Sequence, residues 1–97
     1  MPVAMRFERK IVDRQVGRNA QLLAEAIASL GGEEARYPYL RILVSLIEYA
    51  HPEWNQAPQK DRQIAELVSE LSGGTLETDE VAAVVRVRDE ERGYVSA

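Results

Sequence analysis

His51 is the only imidazole in the 97-residue chain, and there is no cysteine. One imidazole cannot build a multi-histidine metal cluster. Without thiols there is no disulfide, no thiolate metal site and no cysteine nucleophile. Nucleophilic catalysis would then need a serine or threonine beside a base. Ser29, Ser45, Ser69, Ser72 and Ser96 fall in helical or terminal contexts, none within an elbow motif. Carboxylates are plentiful, but none sits in an apolar frame that would raise its pKa. Glu48, beside the apolar run 40–50, comes nearest, and pairing with an arginine or exposure is its expected state. The Gly-Gly pairs at 31–32 and 73–74 follow helix-forming segments, whereas a phosphate-cradling loop precedes one. No catalytic residue, metal or cofactor is therefore expected. His51 itself closes an apolar segment, where a helix dipole favours imidazolium. Capping the last carbonyls is its structural reading, and a pH-sensitive contact its functional one.

The residues suited to binding are different. Arg6, Arg9, Lys10, Arg14 and Arg18 stand against Glu8 and Asp13, so residues 1–18 carry +3. Residues 19–97 hold seven basic and fourteen acidic side chains, or −7, and the two parts make the net −4. A basic arm on an acidic body is a solvated terminus or a contact surface for an acidic partner, RNA or a second copy. Gly17-Arg18-Asn19 reads as a turn and N-cap, with Arg18 as an outward contact beside the arm. Trp54, the single tryptophan, lies between Pro52 and Pro58. It either folds back to close the end of a bundle or stands as an exposed anchor. Tyr37 and Tyr39, flanking Pro38, are half-buried or interfacial.

These residues must be positioned by helices. Charged residues make up 29% and hydrophobic residues 45%, the balance of a globular chain too short for two domains. Ala20, Leu23, Ala24, Ile27 and Leu30 predict a first helix over 17–31, with Asn19 as N-cap, Asp13 as a competing start, and Gly31-Gly32 as its end. Leu40, Leu43, Val44, Ile47 and Ala50 predict a second. Ile42, Leu46 and Tyr49 widen its apolar surface, and only Arg41, Ser45 and Glu48 interrupt it, along one narrow strip. Such a helix is expected at the centre of a bundle, with part of its surface available to a second protomer. Pro38 suits a first turn and would break an interior, so Glu33-Glu34 are read as a short preceding turn. Ile64, Leu67, Val68 and Leu71 predict a third helix over 59–72, closed by Gly73-Gly74. The segment 78–97 is either a helix capped by Thr78 or a hairpin pairing Tyr94-Val95 back on Val84–Arg88.

Val16-Gly17-Arg18-Asn19-Ala20-Gln21, the apolar second helix, His51-Pro52-Glu53-Trp54 and Leu76-Glu77-Thr78-Asp79 resemble an uncharacterised family of small helical bacterial proteins with a Gly-Arg-Asn helix start. The resemblance spans about residues 16–79. It implies a helical fold and supplies no activity. His51-Pro52-Glu53 stands where that family has Pro-His-Leu, and Ile64-Ala65-Glu66-Leu67 where it has tryptophan and histidine, so no role of those residues carries over.

The expected architecture is all-α: a small bundle of three to four helices over 16–97, a central apolar second helix, and a basic arm over 1–15. The longest apolar stretch, 40–50, is too short and too charged to span a bilayer. The N-terminus lacks the apolar core of a secretory signal, and the expected location is the cytoplasm. The expected function is a non-catalytic protein-interaction or regulatory module, self-associating as a homodimer. An RNA- or ribosome-associated factor is the alternative. The candidate partner-binding residues are Arg6, Arg9, Lys10, Arg14, Arg18, Asn19 and Trp54.

Overall fold

Apolar residues at spacings of three and four recur along the chain, and each such run is a helix with its stripe turned inward. The computed structural model describes residues 12–93. Four helices make up the fold: α1 (Arg18–Ala28), α2 (Glu33–Ala50), α3 (Lys60–Leu71) and α4 (Thr78–Glu91), with a 3-10 turn at Pro52–Gln56. Among the described residues there is no strand. The most extensive contact joins α3 to α4; α1 lies on α2 and α3, and α4 also covers α2.

The core is built from all four stripes: Ala24 and Ile27 of α1, Leu40, Leu43, Val44 and Ile47 of α2, Ile64, Val68 and Leu71 of α3, and Val81 and Val85 of α4. All of these are essentially inaccessible to solvent. Each buried Leu, Ile or Val contributes about 1.5–3 kcal/mol of transfer free energy, and Ala24 less. Ala20 and Ala24 place the small-residue side of α1 against the core.

The helix ends correct several expectations. Asn19 does not cap α1. Gly17 takes the N-cap position at φ +91°, a conformation only glycine adopts cheaply, and no side chain caps the helix. Asp13 starts the preceding turn instead: its Oδ1 accepts from the backbone N–H groups of Gln15 (2.8 Å) and Val16 (3.1 Å), and its carbonyl accepts from Gly17 N–H (2.8 Å). α1 ends at Ala28, with Ser29 in right-handed geometry, before the glycines are reached. α2 begins at Glu33 and runs straight through Pro38, so Glu33-Glu34 belong to it. Thr78 is the first residue of α4 rather than its cap.

The end of α3 is as expected. Gly73 N–H donates to the Glu70 carbonyl (3.0 Å) and Gly74 N–H to that of Ser69 (2.7 Å), the paired bonds of a glycine-terminated helix. The segment 78–91 is a helix, which decides against a hairpin over Val84–Arg88; Tyr94 and Val95 lie outside the described residues.

Candidate interaction site

The polar and apolar sides of α2 are placed in an unexpected way. Arg41 and Glu48, the charges of its polar strip, face α4. Arg41 donates to Glu91 (2.6 and 3.3 Å), and Glu48 is buried against Arg88 (2.8 Å) and Arg92 (2.7 Å). The residues that widened the apolar surface face outward instead. Ile42 is 52% exposed, Leu46 45% and Tyr49 90%. At about 100° per residue, Ala35, Pro38, Tyr39, Ile42, Ser45, Leu46 and Tyr49 share one outer face of α2. None of the seven is charged, and all but Ser45 are exposed.

The end of α2 carries a second cluster. His51 does not cap the carbonyls of α2. Its Nε2 lies 2.8 Å from Asp13 Oδ2 and its Nδ1 3.0 Å from Glu53 Oε2, and its ring stacks on Trp54 at 4.1 Å and 6°. Burial lowers the imidazole pKa, but hydrogen bonds to Glu53 and Asp13, together with their charges, more than offset that and hold it above its usual value. Burial acts to raise the Asp13 carboxyl, yet the Val16 and Gln15 N–H groups and the His51 partner hold it below its usual value. Gln15 Nε2 donates to the Ala50 carbonyl (3.2 Å), and Val12 N–H to Gln21 Oε1 (2.9 Å). Residues 12–15, grouped with the arm by charge, are thereby tied to the bundle.

Between these regions lies a charged node. Lys60, itself buried, reaches Glu48 Oε2 (3.0 Å) and Asp89 Oδ1 (2.8 Å). Glu48 thus receives cations from both α3 and α4. Burial acts to raise the Glu48 carboxyl, and Arg88 and Lys60 outweigh it, so the group is held below its usual value. Beside the node an open cavity of about 430 Å³ is bordered by Ser45, Tyr49, Asn55, Arg88 and Arg92. Arg88 Nε and Asn55 Oδ1 are buried with no hydrogen-bond partner.

Of the residues singled out in the sequence, Arg6, Arg9 and Lys10 lie outside the described residues. Arg14, Arg18 and Asn19 are exposed around the first turn of α1. Trp54 is half-buried against the core and stacked on His51, so its ring closes this end of the bundle. The Asp13–His51 contact brings Arg14 to the end that Trp54 occupies. Sequence reasoning missed Asp13 as a partner of His51; for Glu48 it offered an arginine or exposure, and the structure shows arginines, Arg88 and Arg92, with Lys60 beside them. The one signal available was a carboxylate inside an apolar run. Among the described residues no cluster of three or more histidine, aspartate or glutamate side chains is placed to hold a metal ion, and no helix is long and apolar enough to cross a membrane. No family model, curated protein or solved structure matches the chain.

Proposed function

We propose that this protein is a non-catalytic interaction module that acts by self-association through the outer face of α2. The observation that carries the reading is that face: seven neighbouring positions without a charge, on a chain of which 29% is charged. Burying Tyr39, Ile42, Leu46 and Tyr49 removes apolar surface from water, and no ion has to be desolvated with them. Tyrosine suits such a surface because its ring is buried while its hydroxyl finds a rim partner. The charges that would oppose association are drawn off to α4.

Sedimentation equilibrium of the whole chain is expected to show a dimer at tens of micromolar. Leu46→Glu should return it to monomer with its helical circular dichroism intact, since Leu46 lies outside the core. A wild-type chain that stays monomeric through that range would overturn the proposal.

A further inference from the structure

His51 closes α2 as a buried ring set between two carboxylates that come from different segments. Nε2 lies 2.8 Å from Asp13 Oδ2, in the stretch before α1, and Nδ1 lies 3.0 Å from Glu53 Oε2, in the 3-10 turn. The neutral indole of Trp54 covers the face of the ring. The other charges of the elements packed here are engaged elsewhere or stand in solvent. Glu48 of α2 and Lys60 of α3 are turned to one another (3.0 Å), and Arg14 and Arg18 are exposed. Burial opposes the charged ring, and Asp13 and Glu53 together outweigh it.

An ionised carboxylate only accepts hydrogen bonds, so two of them call for two donors. Imidazolium supplies both, and the neutral ring has one N–H left. If that N–H goes to Glu53, the lone pair of Nε2 faces Asp13 Oδ2. If it goes to Asp13, the bond loses its charge assistance, which is about half its strength. Either tautomer weakens the tie to Asp13.

Asp13 belongs to a stretch with little buried apolar surface. Val12, Arg14 and Gln15 are exposed, and Val16 is where packing against the core begins. The remaining ties across to the bundle are Val12 N–H to Gln21 Oε1 (2.9 Å) and Gln15 Nε2 to the Ala50 carbonyl (3.2 Å). Such a stretch opens at a lower cost than helices whose stripes form the core.

We propose that residues 12–15 are a proton-gated latch, fastened to the end of α2 when His51 is charged and loosened when it is neutral. Closure sets Asp13 against the ring, so closure and proton binding favour one another. The latch fixes Arg14, an exposed cation, at the Trp54 end of the bundle or releases it. It needs no second copy of the chain.

Amide hydrogen exchange of the whole chain tests it, each rate divided by that of an unstructured chain at the same pH. Val12 and Val16 are expected to exchange faster than Ile64 and Val68 in the core, as a stretch that opens by itself must. Their protection should fall about tenfold between about pH 5.5 and about pH 8. Asp13→Asn keeps an acceptor for the Val16 N–H but removes the charge, so protection should stay level over that range. Glu53→Gln should leave most of the fall in place. The latch is overturned by Val12 protection that is flat with pH in the wild-type chain, or that equals the protection of Ile64 and Val68. A fall that persists in Asp13→Asn, or that vanishes in Glu53→Gln, would overturn it as well.

Discussion

His51 shows how far one side chain can depart from the role its position suggests. A histidine closing a helix is placed to meet carbonyls, and this one meets two carboxylates and an indole instead. The sign of its pH dependence follows. Its folded pKa lies above the usual 6.5, so the stabilisation it provides is complete below about that pH. That stabilisation is lost as pH rises through the folded value. Asp13 and Glu53 are held below their usual values, so their share is present above the ordinary carboxylate range and lost as pH falls through the lowered values. The contact is therefore strongest in mildly acidic solution. His51→Gln is expected to cost about 1 kcal/mol near pH 5.5 and progressively less above neutrality, measured by thermal unfolding. The single tryptophan reports the same event, because a charged imidazole stacked on it quenches its emission. Trp54 fluorescence should rise through one transition with its midpoint above 6.5, and Asp13→Asn should bring the midpoint down. A midpoint at or below 6.5 in the wild-type chain would contradict this account. A pH-sensitive contact at His51 was legible in the sequence, but its partner was not, since Asp13 and His51 are 38 residues apart and no periodicity links them.

At the scale of elements, apolar spacing located α1, α2 and α3, because burial of one stripe is what stabilises each of them, and left 78–97 open between a helix and a hairpin. It named the stripe of α2 that is buried, Leu40, Leu43, Val44 and Ile47, but not that Arg41 and Glu48 turn to α4 while Ile42, Leu46 and Tyr49 face outward. A helix apolar around most of its circumference gives no such direction, and the narrow polar strip is the one α4 covers. The helix ends were misplaced where backbone geometry overrode side-chain preference, as at Gly17. Pro38 is the clearest case. Its position deprives the Glu34 carbonyl of a donor, and an interior proline ordinarily breaks a helix. Here the ring lies on the exposed face, where water can satisfy that carbonyl, so α2 continues. The cost is not removed. Pro38→Ala restores the donor and a strong helix former, and should raise stability by about 1 kcal/mol in urea unfolding. An unchanged or lower midpoint would show that the stiffness proline gives the unfolded chain is worth as much.

Across the whole molecule, Glu48 is where three helices meet. It lies on α2 and binds Lys60 of α3 and Arg88 and Arg92 of α4, the arginines 40 and 44 residues away in sequence. Its side chain and that of Lys60 are each only 6% exposed, so the loss of either leaves a charge with little water to receive it. Glu48→Gln is expected to cost about 3 kcal/mol in chemical unfolding. Lys60→Met should be costly alone and less so when Glu48 is already Gln, because of the two carboxylates it serves only Asp89, still paired with Arg92, is then left. Additive costs in that double-mutant cycle would mean that the node is a set of independent pairs. The bridging of one carboxylate by three cations argues otherwise, and it bears on how this sequence can drift. Leu22 or Glu66, on the surface, is replaceable by itself. Glu48, Lys60, Arg88 and Arg92 are expected to change together, because a substitution at one of them strands a charge at another.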